Sequence, residues 1–314
     1  MSDHWSEYWN QGFLTSFGGA IDDNYEGALK HYWKGKFSEL DNNFNMLDIG
    51  TGNGAIPMLL KSFVDGNLSG NVIGIDMAKV KLPQTFENST VNIKLLSYID
   101  CTNLPFDTSS FDKCTSQFAI EYSDLIRSLK EVNRVLKLNG EANFIMHNSN
   151  SSVIEVNKKA NNILLSPYID ELFSNMSMLI KSMGEIKSGI DIQKAKNDPI
   201  CEQYRHSVNN CIKNIIDIDE QSAKESELMA YVGQFFTKGM MWSIDKKYEF
   251  LAFVEKEILS QRLRLTELLS ASIDHKKIIT ILENLPVGLV LVSINEVKEE
   301  HKIIAWELTL RKNE

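Results

Sequence analysis

Apolar and polar positions fall into two rhythms over the first half of the chain. Phe44, Met46, Leu47 and Ile49 form a dense apolar run, after which Ile56, Met58, Leu59, Leu60 and Phe63 recur at helical spacing. The first predicts a strand and the second a helix, joined by the turn Gly50-Thr51-Gly52-Asn53-Gly54. A second strand is predicted over residues 71–76, where β-branched residues end in Asp76, a third over 91–96 and a fourth over 111–120. Residues 122–138 place Leu125, Ile126, Leu129, Val132, Val135 and Leu136 on one helical face. The pair Asn139-Gly140 predicts that helix's stop, and residues 141–147 a fifth strand.

From about residue 150 to 280 the rhythm is helical throughout. Leu172, Met176, Leu179, Ile180 and Met183 share one face, as do Leu251, Val254, Ile258, Leu265 and Leu269 if their helix runs unbroken. Strand character returns at 287–294 and 303–310, joined by 295–302, a connection short enough for an antiparallel hairpin. Strand and helix alternating over 44–148 predict an α/β fold, a doubly wound, mostly parallel sheet with right-handed crossovers. The hairpin would complete it as a seven-stranded sheet, making the helical block a large insertion. The expected organisation is an aromatic-rich helical segment or lid at 1–40, an α/β core at 41–150, a helical insertion or substrate cap at 151–280, and a hairpin completing the sheet at 281–314.

Composition narrows this picture. A hydrophobic fraction of 43% over 314 residues suits a globular protein with a sizeable core. No apolar run approaches the length of a membrane span, and the N-terminus lacks the basic start and apolar stretch of a secretion signal, so a cytoplasmic location without membrane attachment is expected. A net charge of −9 disfavours nucleic acid as a partner, because such binding relies on clustered Lys and Arg. Cys101, Cys114, Cys201 and Cys211 show no CxxC pair or zinc spacing, so reduced thiols are expected and no metal.

The chemistry concentrates at the predicted carboxyl ends of the strands. Glycines at alternate positions after Asp48 permit positive φ and leave backbone bare for a ligand. The spacing GxGxG matches neither the phosphate loop ending in Lys-Ser/Thr nor the GxGxxG dinucleotide fingerprint. Asp76 follows Gly50 by 26 residues, and Asp100 and Gln117 also fall at or near strand ends. Ligands of such sheets bind there, near the switch in strand order, so these four positions converge on one site.

These residues resemble the class I S-adenosylmethionine-dependent methyltransferases, with their Rossmann-like fold. The stretch Asp48 to Gly54 is similar to the family's first motif, Asp76 to the acid ending its second strand, and Asp100 to Phe106 with Ser110-Phe111-Asp112 to the loop before strand four. The terminal hairpin fits the family's reversed last strand, so the resemblance covers about 44–148 and 286–311. It implies S-adenosyl-L-methionine as methyl donor and S-adenosyl-L-homocysteine as product. It implies that Asp76 accepts from the ribose hydroxyls, that Asp100 accepts from the adenine amino group with the Cys101 backbone nearby, and that Met77 packs on the ring. Backbone at Gly50 and Gly52 would approach the methionine part, with Gly54 completing the turn, Asp48 near the amino group, and Gln117 along the transfer channel. Taken singly, Asp76 or Asp100 would also serve as an ordinary turn or helix cap.

Methyl transfer from a sulfonium is an in-line displacement, for which a general base is needed only if the acceptor arrives protonated. Glu121, Tyr122 and His147 are the candidates; the alternatives are that Glu121 and Tyr122 open the following helix and that His147 is a satisfied strand-end histidine. Trp5, Tyr8, Trp9, Phe13, Phe17, Tyr25, Tyr32 and Trp33 crowd the N-terminus, either as a lid, which His4 and the Gly18-Gly19 pair could serve, or as a helical segment packed on the core. The expected acceptor is a small molecule enclosed by the helical insertion and the aromatic N-terminus. The competing readings are a protein or RNA methyltransferase and a noncatalytic donor-binding protein. Amphipathic helices of the insertion could bury an apolar face against a second copy, giving a homodimer.

Overall fold

The computed structural model describes residues 4–17, 24–64, 68–82, 90–224 and 226–313. The Gly18-Gly19 pair lies outside the described residues. The chain divides into one compact unit of Met1–Ile154 with Glu267–Glu314 and a second of Glu155–Thr266.

The first unit is built on a seven-stranded sheet in the order β3-β2-β1-β4-β5-β7-β6. Its strands are β1 (Phe44–Ile49), β2 (Gly70–Asp76), β3 (Val91–Ser97), β4 (Phe111–Gln117), β5 (Leu136–Met146), β6 (Leu289–Glu299) and β7 (Lys302–Lys312). The first five run parallel, and β7 is antiparallel to both β5 and β6. Strand order reverses between β1 and β4, which opens a crevice beyond their carboxyl ends. Helices α1 (His4–Asn10), α2 (Gly27–Phe37), α3 (Ala55–Phe63) and α4 (Leu125–Val135) belong to this unit.

Why β1 is apolar almost throughout is clear from its two faces. Leu47 and Ile49 enter a core with Ile75, Cys114, Leu129 and Phe144, while Phe44 and Met46 enter another with Trp33, Leu60, Val72 and Ile145. A central strand covered on both faces has no solvent side on which to alternate.

Two expectations are corrected in detail. The helix predicted over 122–138 occupies only Leu125–Val135, where Asp124 caps it by accepting from the Arg127 N–H at 3.2 Å. Its end is not set by Asn139-Gly140: β5 begins at Leu136, and the pair falls in an irregularity where pairing jumps from Phe111↔Leu136 to Lys113↔Glu141. Asn139 there has φ +65°, and a Cβ on Gly140 would sit 2.9 Å from the Lys137 carbonyl. Asn-Gly marks a turn of the backbone, and here the turn is a bulge within a strand. The closing hairpin is also longer than predicted, because its reversal needs only Glu300 and His301, at φ +47° and +67°. Positive φ at both central residues gives the twist that a two-residue hairpin requires.

The chain enters the second unit within α5 (Ser152–Leu164) and leaves it within a long helix, Ile244–Ala271. Between them lie α6 (Pro167–Met183), α7 (Gly189–Asn197), α8 (Pro199–Ile218), α9 (Glu220–Lys224) and α10 (Glu227–Gln234), so the long helix is α11. Pro at the first turn and a serine or aspartate just before start α6 and α8. The core of this unit joins Leu172, Met176 and Ile180 of α6 to Val208, Cys211 and Ile215 of α8. A final helix, α12 (His275–Glu283), returns to the first unit and buries Ile278 and Ile281 in its core.

Candidate functional site

A cavity of about 1110 Å³ opens in the first unit at the carboxyl ends of β1, β2 and β4. Its lining includes Asp48, Gly50, Asp76, Met77, Asp100, Cys101, Gln117, Glu121 and Tyr122, so nine of the twelve residues singled out in the sequence meet there. Gly52, Gly54 and His147 are not on the lining.

The glycine turn explains this division. Gly50, Gly52 and Gly54 have φ of +65°, +53° and +91°, a region that side chains resist. A Cβ on Gly50 would collide with Ala119, and one on Gly52 would come within 2.7 Å of the Trp9 ring. Gly54 precedes the first turn of α3, where a Cβ would press on Leu82 at 3.0 Å. Gly50 thus presents backbone to the cavity, Gly52 admits an aromatic ring, and Gly54 starts a helix.

Three carboxylates follow the turn. Asp48 is buried; its Oδ1 accepts from Thr115 Oγ1 at 2.7 Å, and its Oδ2 has no hydrogen-bond partner among the described residues. Burial pushes its pKa up to about 7, with the charge of Asp76 adding to the rise. Asp76 accepts the Gly52 N–H on Oδ2 at 2.9 Å and the Ala78 N–H on Oδ1 at 2.8 Å; burial raises it to about 6 against those bonds. Asp76 therefore holds the glycine turn while leaving further acceptor capacity on each oxygen. Exposed Asp100 accepts the Thr102 N–H and hydroxyl on Oδ1, so it caps its own loop as well as lining the cavity. Met77 is 45% exposed beside Asp76, an apolar side chain with room to settle on a ligand. Gln117 accepts from the Trp33 indole N–H, which fixes its amide where β4 ends.

The end of β4 carries the candidate acid-base groups. Phe118 adopts φ +54°, an uncommon conformation for a bulky residue, and this ends the strand earlier than the predicted Ile120. Glu121 is only 6% exposed; its Oε1 accepts the His147 N–H at 2.8 Å, and its Oε2 has no partner among the described residues. Burial raises its pKa to about 7, opposed by backbone hydrogen bonds. The Tyr122 hydroxyl is raised well above its ordinary value by burial, with Glu121 and Glu267 adding to it. His147 is stacked on Phe118 with centroids 4.3 Å apart and meets Tyr122 edge-on at 6.0 Å. Burial lowers its pKa to about 3, so its imidazole is neutral, with Nδ1 unpartnered.

Residues that the sequence did not single out complete the site. Asn53, the unremarked letter in the glycine turn, donates from Nδ2 to the carbonyls of Trp9 and Phe13, each at 2.8 Å, and accepts the Lys81 N–H on Oδ1 at 3.0 Å. Glu267 accepts from His4 Nε2 at 2.9 Å and from the Trp5 indole at 2.8 Å. Only its register on a long helix could have signalled Glu267, which lies 214 positions beyond Asn53. Through these contacts the aromatic N-terminal segment is packed against the cavity, with Trp5 and Trp9 in its wall.

A family model described as a methyltransferase domain matches residues 47–144, from β1 to β5. Residues 47–144 are a class I S-adenosylmethionine-dependent methyltransferase domain. Among curated relatives, a ubiquinone/menaquinone biosynthesis C-methyltransferase of Citrifermentans bemidjiense is 32% identical over 111 residues, which is 32% of this chain and 45% of that protein. A demethylmenaquinone methyltransferase of Staphylococcus carnosus is 39% identical over 77 residues, 24% of this chain and 32% of that protein. This chain spans about half or less of the curated relatives it matches. A solved S-adenosylmethionine-dependent methyltransferase from Methanosarcina mazei covers 92% of this chain and 98% of its own at 14% identity, with a TM-score of 0.38.

The methyltransferase domain thus contains both the glycine turn and the acids that face it. Among the described residues no group of three or more His, Cys, Asp or Glu is placed to hold a metal, and no helix is long and apolar enough to cross a membrane.

Proposed function

We propose that the protein transfers a methyl group from S-adenosyl-L-methionine to a small-molecule acceptor by in-line displacement. The observation that carries this reading is the convergence of Asp48, Gly50, Asp76 and Gln117 on one cavity at the reversal of strand order. The residues present fit the donor chemically. Asp48 Oδ2 is a buried acceptor without a partner, suited to an ammonium group, and the Asp76 carboxylate retains lone pairs for a diol. Asp100 and the Cys101 backbone are suited to the adenine edge, and Met77 to its face.

The bound donor would supply an electrophilic methyl on a sulfonium whose departure leaves a neutral thioether. The chain's own residues then have three tasks: to hold the donor, to align the acceptor, and to exclude water. Asp76 and the Gly50–Gly54 turn serve the first, with Asp76 fixing the turn through the Gly52 N–H. Trp5, Trp9 and Tyr122 wall the cavity and serve the third. Alignment falls to groups after β4, where Glu121 can accept a proton from an acceptor that carries one. The curated relatives named for quinone biosynthesis are consistent with a small acceptor.

Calorimetry of the folded protein with S-adenosyl-L-methionine tests the donor assignment. Binding is expected, and Asp76→Ala is expected to weaken it by on the order of a hundredfold through lost charged hydrogen bonds. No binding by the wild-type protein, or an unchanged affinity in Asp76→Ala, would sink the assignment. Mass spectrometry after incubation with labelled donor and metabolite extract would name the product. Binding without turnover on any metabolite would favour a sensor.

A further inference from the structure

The charge of the cavity wall is one-sided. Among the described residues the lining contains six carboxyl side chains, one histidine, and no lysine or arginine. The stretches outside the described residues contain no lysine or arginine either. Asp48, Asp76 and Asp100 are the acids assigned to the donor, which leaves Asp124, Glu267 and Glu121. Asp124 caps α4 and lies 3.3 Å from Arg127. Glu267 is held by His4 and Trp5.

Glu121 differs from both. The residue is only 6% exposed and lines the cavity; among the described residues no cation is paired with it, and its buried Oε2 accepts no hydrogen bond. A buried acceptor in this state is costly unless something donates to it. Beside it, Trp5 meets the Tyr122 ring edge-on at 6.1 Å, and Trp9 stacks on Trp5 at 6.2 Å, so the neighbouring surface is aromatic.

An acceptor whose carboxylate or phosphate lay beside Glu121 would lose its hydration there and meet a like charge. A basic nitrogen brings N–H donors for Oε2 and, when protonated, a positive charge that aromatic faces and a carboxylate both favour. We infer that the methyl acceptor is a small, apolar-bodied amine whose nitrogen is bound and deprotonated by Glu121. This rests on the methyltransferase reading above. In the step so assigned the nitrogen lone pair forms the new N–C bond while the donor's S–C bond breaks with its electrons retained on sulfur. The N–H proton passes to the Glu121 carboxylate. Burial places that carboxyl near 7, closer to an amine's range than an ordinary glutamate.

The test uses the full chain loaded with S-adenosyl-L-homocysteine and a graded panel of arylalkyl and alkyl amines, each with its matched alcohol and carboxylic acid. By calorimetry at least one amine is expected to bind about tenfold or more tighter than its alcohol, with no binding by the acids. With a deuteromethyl donor the same amine should gain the label on nitrogen. Glu121→Gln keeps a carbonyl for the His147 N–H, so the fold is retained. It should abolish the preference for amine over alcohol while the donor still binds. The inference is overturned if no amine binds, if an alcohol or acid binds as well as its amine, or if Glu121→Gln keeps the preference. Failure of the homocysteine product to bind at all would instead remove the donor site, and both readings with it.

Discussion

Asn53 Nδ2 lies 2.8 Å from the carbonyl oxygen of Trp9, which ties the glycine turn of the donor site to the segment that walls the same cavity. The same amide reaches the Phe13 carbonyl, and its oxygen accepts the Lys81 N–H. One side chain therefore connects three parts of the chain: the glycine turn, the N-terminal segment and the stretch after β2.

Removing that connection should loosen the wall without dismantling the sheet. Asn53→Ala leaves two carbonyls and one N–H without their partner, a loss on the order of 2 kcal/mol of stability. Hydrogen exchange should show residues 4–17 opening far more readily while β1, β4 and β5 stay protected. Unchanged protection of that segment would mean that its ring contacts hold it without the amide.

Gly52→Ala tests the role of a glycine that is not on the lining. Its φ of +53° opposes the substitution, and so does the Trp9 ring, which an added Cβ would approach to 2.7 Å. Left-handed backbone alone costs about 1–2 kcal/mol for a non-glycine residue. The ring must also move, so Trp9 fluorescence should shift and donor affinity fall. A variant with wild-type emission and affinity would show that the turn accommodates the methyl group elsewhere.

The pH dependence of stability should carry the mark of Glu121. Its folded-state pKa is raised by burial from 4.5 to about 7, so the folded protein keeps a proton that the unfolded chain has released. The destabilisation from this group is absent below about pH 4.5 and grows as pH rises towards 7. Glu121→Gln cannot ionise and should gain on wild type over that window, reaching on the order of 3 kcal/mol above it. Urea unfolding of both proteins at about pH 5 and about pH 8 reads the difference directly. A constant difference between the two conditions would argue against a buried carboxylate here.

His147 has the opposite sign. Its folded pKa is lowered from 6.5 to about 3 by burial, so stability is full above 6.5 and is lost as pH falls towards 3, where only the unfolded chain binds the proton. Replacing it by His147→Phe should reduce proton uptake on acid unfolding by about one proton in this range. The measurement is the slope of unfolding free energy against pH, and an unchanged slope would place the imidazole in contact with solvent.

Much of the fold was legible because its signals are local. The dense apolar run at 44–49, the glycines after Asp48 and the β-branched run ending in Asp76 each predict an element that is present at those positions. The end of β4 was not legible, since a phenylalanine at φ +54° has no local preference to announce it. Asn139-Gly140 was legible as a reversal of the backbone but not as a bulge, because only pairing with β4 distinguishes the two. In the site, acids at strand ends could be located from the sequence, and nine of the twelve singled-out residues line one cavity. Gly54 and His147 fall off the lining for reasons of packing: one starts α3 and the other lies against Phe118.

By itself the sequence determined the order of strands and helices, the glycine turn and the acids beside it, since periodicity and backbone preference act over a few residues. Tertiary structure alone decided that Asn53 holds Trp9, that Glu267 receives His4 and Trp5, and that Glu121 Oε2 is buried without a hydrogen-bond partner among the described residues. Those relationships depend on distance and dielectric between segments remote in the chain, and burial changes the chemistry of a carboxyl without changing its letter.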